Sequence, residues 1–161
     1  MTQQQRVPDH QTAMGFYHVG REFLEAFTVL NEARPDVLDL TSVKLQMLCQ
    51  ATELILKGWL ALKGYNMDQW YTHDLEKVYE KVLEEYGVSK YLDGDPTNIL
   101  YLNQFYSIHG YRYPLERAQH LGMLNAKGLK QLEKMVTNLK DGLIIKIQQV
   151  RLRPTDESGR N

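Results

Sequence analysis

The sequence predicts an all-α fold, a four- or five-helix up-and-down bundle. Apolar residues recur at three- and four-residue steps along most of the chain, and no segment of useful length alternates with the period of a strand. One stretch, Leu40 to Gly64, is apolar around most of its circumference, as a central helix must be. At 161 residues the chain can bury a core without disulfides or a structural metal. We divide it into a disordered lead-in (1–11), one helical domain (12–150) and a charged, proline-containing disordered tail (151–161).

The first helix is predicted from near Thr12 to Ala33, with Phe16, Val19, Phe23, Ala26, Phe27 and Leu30 on its apolar face. Arg34-Pro35-Asp36 ends it, because the residue before a proline is pushed out of the α region. Asp39 or Thr41 is then placed to cap the central helix, and Gly64 to terminate it. A loop with Tyr65, Trp70 and Tyr71 leads to Thr72-His73-Asp74-Leu75, where Thr72 caps a third helix and Asp74 suits its first turn. That helix carries Leu75, Val78, Val82, Leu83 and Tyr86 inward and stops at Gly87. In the next turn Asp95 is a cap and Pro96 the first helical residue of a fourth helix, which turns Ile99, Leu102, Phe105 and Tyr106 inward and ends around His109-Gly110. After an irregular stretch Asn125 caps the last helix, with a seam of Leu129, Leu132, Val136, Leu139, Leu143, Ile147 and Val150.

With 19 Lys plus Arg against 20 Asp plus Glu, the chain has no global basic field, so any nucleic-acid contact must be local. Cys49, the single cysteine, sits among apolar residues and reads as a buried hydrophobe, not a nucleophile. The absence of a signal-peptide hydrophobic region and of a spanning segment leads us to expect a soluble, cytoplasmic protein with no membrane partner. His18 with Glu22 is one i, i+4 pair and makes no closed metal site, and neither a P-loop nor a GxGxxG stretch occurs, so no metal or cofactor is expected.

Three features could carry chemistry. Gln46, Gln50, Glu53 and Lys57 form one polar stripe on the central helix. The stripe is either its solvent-facing strip, with Glu53 and Lys57 an ordinary surface pair, or one polar wall of a cleft or dimer interface, in which case Glu53 needs Lys57 or another cation such as Arg112. His73 and Asp74 lie at a helix start, where exposed amides favour an anion, though such residues also serve as plain helix-start chemistry. Tyr106, Tyr111, Arg112 and Tyr113 set a guanidinium among phenols. That grouping suits binding a phosphate and stacking a base, or equally an arginine paired to a buried glutamate.

The ordered set of Ala51-Thr52-Glu53-Leu54-Ile55-Leu56-Lys57, His73-Asp74-Leu75, Leu102-Asn103 with Tyr106, and Arg112-Tyr113-Pro114 resembles the HEPN superfamily over roughly Thr12 to Val150. The resemblance implies a bundle that often dimerises. It also implies either an RNase of toxin–antitoxin or phage-defence systems, or a non-catalytic partner that binds RNA or nucleotide, with a nucleotidyltransferase, toxin or antitoxin as a possible companion. RNase-active members carry an arginine, four to six residues, then a histidine. Here Arg112 and His120 are separated by seven residues, Arg117 and His120 by two, and Arg6 and His10 by three. We therefore expect a homodimer that binds RNA or nucleotide through Glu53, Lys57, His73, Asp74, Tyr106, Arg112 and Tyr113, without the usual RNase chemistry. The alternatives are a helical interaction or dimerisation module, and a noncanonical metal-independent RNase using His109 or His120 with Arg112 or Arg117.

Overall fold

The computed structural model describes residues 12–36, 40–107 and 125–152. Among them are five helices: α1 (Ala13–Ala33), α2 (Thr41–Leu62), α3 (Leu75–Tyr86), α4 (Thr97–Tyr106) and α5 (Ala126–Arg151), with a short 3-10 turn at Met67–Trp70 before α3. The described chain is all-helical, apart from an isolated bridge between Ser89 and Leu92. The expected lead-in, and the tail beyond Leu152, lie outside the described residues; Arg151, expected to open the tail, closes α5.

Helix α2 is the hub, in contact with α1, α3, α4 and α5. Its apolar circumference explains this: Leu45, Leu48, Ile55, Leu56 and Leu60 point in several directions around the helix, and all are fully buried. On α1 the buried row is Phe16, Gly20, Leu24 and Phe27, while Val19 and Ala26 are exposed, contrary to expectation. At 100° per residue those two sit about 100° round from the centre of the buried row, on the flank of the helix.

The ends of the helices follow local chemistry, with four departures from the sequence reading, the last of them at the start of α4. Thr41 is the first helical residue of α2 and not its cap; Leu40 precedes it in the left-handed region (φ 54°) with no side-chain cap, and Asp39 lies outside the described residues. Asp74, not Thr72, caps α3. Its Oδ1 accepts from the Lys77 amide at 3.2 Å, while Thr72 Oγ1 accepts from the Asp74 amide at 3.1 Å and shapes the approach. Helix α4 ends at Tyr106, about one turn early; His109 and Gly110 lie outside the described residues, as does the side chain of Phe105.

Elsewhere the expected ends are present. Gly64, at φ 87°, closes α2 with its amide on Ala61 O and the Tyr65 amide on Leu60 O, the paired bonds of a Schellman motif. Asn125 Oδ1 accepts from the Gly128 amide. At α4 the expected start is shifted by one residue: Pro96 is the N-cap and Thr97 the first helical residue, while Asp95, expected as the cap, stands one residue before it and accepts from the Thr97 amide through Oδ1. The α5 seam is buried from Leu129 to Ile147, and Val150 beyond it is 49% exposed.

Two contacts lock α2 to the long helices. Lys44 is fully buried and its ammonium donates to the carbonyls of Arg34 and Asp36, at 2.5 and 2.9 Å, where the negative end of α1 favours a cation. At the other end Trp59 Nε1 donates to Leu139 O on α5, while the Tyr86 hydroxyl of α3 donates to Trp59 O. The indole reaches α5 because residue 142 is glycine: a Cβ there would fall 2.8 Å from Trp59 Cζ2 and 2.6 Å from Tyr91 Cβ.

Gly142→Ala therefore forces Trp59 and Tyr91 out of their packed positions, and overpacking of this kind costs about 1–3 kcal/mol. Urea denaturation of the variant is expected to show a lowered midpoint with unchanged slope; an unchanged midpoint would mean that the contact is slack.

Candidate functional site

Glu53 and Lys57 are one turn apart on α2, so their side chains leave the helix in the same direction. Solvent does not meet them there. Helices α3 and α4 pack over that face, and Glu53 is 5% and Lys57 8% exposed, which overturns the reading of the stripe as a solvent-facing strip at these two positions. Gln46 and Gln50, farther up the same stripe, are half-buried.

A buried carboxylate has to be compensated, and Glu53 is compensated from three elements. Lys57 Nζ donates to Oε1 at 2.6 Å from within α2, the Tyr106 hydroxyl donates to Oε2 at 2.5 Å from the end of α4, and His73 Nδ1 lies 2.9 Å from the same Oε2. Burial by itself raises the Glu53 carboxyl; the hydrogen bonds from Lys57, Tyr106 and His73, with the charge of Lys57, outweigh it and hold the group below its ordinary value. Tyr106 is buried, whereas the His73 side chain keeps 30% of its surface exposed, so the cluster reaches solvent through the imidazole.

Asn103, one turn before Tyr106 on α4, holds α4 against the start of α3. Its Nδ2 donates to Asp74 Oδ1 at 2.9 Å and its Oδ1 accepts from the Leu75 amide at 2.8 Å. Asp74 is thus engaged as a cap and as an acceptor for Asn103, and it positions His73 through the chain. The ring of His73 meets Tyr106 edge-on at 5.6 Å, and Tyr71, 89% exposed, lies 6.3 Å from the same ring. Three rings lead from the surface to the carboxylate.

No family model, curated protein or solved structure matches the chain.

Of the seven residues named from the sequence, four form one cluster: Glu53, Lys57, His73 and Tyr106. Asp74 stands beside it on the Asn103 contact. Arg112 and Tyr113 lie outside the described residues, as do His109, Arg117 and His120. Among the described residues, the cation compensating Glu53 is Lys57. Asn103 is quoted from the sequence as part of the resemblance but not among the site residues, although its i, i+3 relation to Tyr106 puts both on one face of α4. Cys49 behaves as a small hydrophobe: burial first, then the charge of Glu53, pushes its thiol well up, and Sγ rests 3.7 Å from Leu102 O. Among the described residues no three His, Cys, Asp or Glu side chains are grouped to hold a metal ion, and no helix is long and apolar enough to cross a membrane.

The depressed Glu53 carboxyl makes a signed prediction. A group whose folded value lies below its unfolded one stabilises the fold above the ordinary carboxylate range and loses that contribution as pH falls through the folded value. Replacing it with an amide leaves Lys57 buried without its counter-charge, at a cost of about 3 kcal/mol near pH 7. The gap between wild type and Glu53→Gln in urea denaturation is expected to narrow between about pH 6 and pH 3. A gap that stays constant across that range would show that the fold leaves the Glu53 carboxyl at its ordinary value, and a gap that widens as pH falls would show that burial outweighs its partners and keeps it neutral.

Proposed function

We propose that the chain is a small HEPN-like protein that binds RNA or a nucleotide, acts as a homodimer in a toxin–antitoxin or phage-defence setting, and does so without the family's usual RNase chemistry. The observation that carries this reading is the convergence of Glu53, Lys57, His73 and Tyr106, drawn from three separate parts of the chain, at one cluster with a partly exposed imidazole at its mouth. These are the residues through which the resemblance links the second, third and fourth helices. In this reading His73 contacts the ligand and the exposed Tyr71 beside it offers a stacking face, as aromatic side chains do for single-stranded nucleic acid. Arg112 and Tyr113 supply the guanidinium and a further ring. Glu53 and Lys57 act from behind, fixing the imidazole and the phenol.

A second reading has an observation of its own. Both oxygens of Glu53 are engaged by groups of the same chain, which is what a purely structural ion network in a helical interaction module requires.

Titration of the protein with short single-stranded RNA and a panel of nucleotides separates the two. The binding reading expects saturable binding that His73→Ala and Arg112→Ala each weaken by about tenfold or more, corresponding to about 1.4 kcal/mol or more; His73→Ala also lowers the thermal midpoint because Glu53 loses a donor, whereas Arg112→Ala leaves it near that of wild type. Absence of binding across RNA and nucleotides, with a lowered midpoint in both variants, would contradict it and favour the structural network.

A further inference from the structure

The hydrogen-bond geometry around Glu53 constrains where the protons sit on His73. Glu53 Oε1 faces the Lys57 ammonium at 2.6 Å, and a protonated oxygen there would set two donors against each other. Oε2 already receives the Tyr106 hydroxyl at 2.5 Å. The carboxylate is therefore an acceptor on both sides, and a carboxylate can hold an imidazole nitrogen at 2.9 Å only if that nitrogen carries a proton. Nδ1 is the donor. Neutral His73 is then the Nδ1–H form, and it meets any second group through Nε2 as a proton acceptor.

Charge governs how the cluster receives an anion. From α2 the ring faces Glu53, with Lys57 on that carboxylate's other oxygen; from α4 it faces Tyr106; along its own segment Tyr71 and Asp74 flank it, the latter held by Asn103 and the Lys77 amide. With His73 neutral, Glu53, Asp74 and Lys57 leave these described groups with an excess of negative charge. A phosphate brought against the imidazole favours its protonated form, and that proton, taken from water, goes to Nε2 because Nδ1 already bears one.

We infer that His73 is the proton-accepting group of the site, held as the Nδ1–H form by Glu53, and that a phosphate-bearing ligand binds with uptake of one proton at Nε2. This rests on the RNA or nucleotide reading above and adds to it the form of histidine that awaits the ligand. Glu53 is the positioning residue. By linkage the effect is reciprocal: the ligand makes His73 more basic by the same factor that protonation tightens binding.

The test is NMR of the full chain with labelled histidine rings, the five histidines resolved by assigning His73 from its loss in His73→Gln. At about pH 8 the free protein is expected to show a protonated Nδ1 and an unprotonated Nε2 on His73, and Glu53→Gln to shift the ring towards a mixture of forms. Saturation with hexauridylate lacking terminal phosphates, or with a nucleoside monophosphate, is expected to raise the His73 midpoint by about one pH unit or more. Affinity is expected to fall as pH rises from the free-protein midpoint to the bound one, by about tenfold in all for each unit that separates them, and to level off above. The hexauridylate arm reads a phosphodiester and the monophosphate arm a terminal phosphate. A dominant Nε2–H form in the free wild type overturns the role given to Glu53. A ligand that binds while the His73 midpoint stays fixed overturns the proton uptake and leaves the RNA or nucleotide reading standing. Failure of both ligands to bind overturns that reading together with the uptake, and the tautomer of the free protein still decides the part played by Glu53.

Discussion

A carboxylate placed inside a helical bundle dictates much of what surrounds it. Glu53 sits on the most buried helix of the molecule, where a lone charge would cost several kcal/mol. Its compensation is supplied by the next turn of α2, the segment entering α3 and the last turn of α4. Three elements are thereby referred to one pair of oxygen atoms. The Asn103 bridge to Asp74 and Leu75 then sets the distance between α3 and α4, so that Tyr106 and His73 arrive on the same side.

Helix α2 divides its circumference between two kinds of packing. Towards α1 and α5 it uses close approach: a Cβ at Gly58 would fall 2.6 Å from Leu143 Cδ2, and one at Gly142 would strike the Trp59 indole. Towards α3 and α4 it uses the charged cluster. The first kind is mostly apolar, with the Lys44 ammonium on the carbonyls that end α1 as its buried charge; the second is polar, reaches solvent through His73, and depends on the ionisation of Glu53. A site that has to respond to a ligand belongs on the second side, while the first supplies the rigid backing that keeps its geometry.

Most of the helix plan is legible in the sequence because it rests on periodicity and on caps that act over three or four residues. Asn125 before α5 and Gly64 after α2 are local devices, and each does what its chemistry implies. The cap of α3 is ambiguous in the sequence because two competent residues, Thr72 and Asp74, stand two positions apart. The charged pair is visible as a stripe, yet its burial is not, because burial depends on α3 and α4 lying across it. Lys44 is less legible still. A lysine in a helix reads as solvated, and its partners are backbone carbonyls at the end of α1, which leave no mark in the sequence. Asn103 is noticed beside Tyr106 but its bridging role is hidden for a similar reason, since one of its two partners is a main-chain amide.

If Glu53 is the element on which the α2, α3 and α4 junction depends, its contribution and that of Tyr106 cannot be independent. A double-mutant cycle of Glu53→Gln and Tyr106→Phe, read as unfolding free energies in urea near pH 7, measures this directly. A coupling of about 1–3 kcal/mol between the two sites is expected. Single-variant costs that add to within about 0.5 kcal/mol would contradict it, and would mean that the buried carboxylate is tolerated by its surroundings and does not organise them.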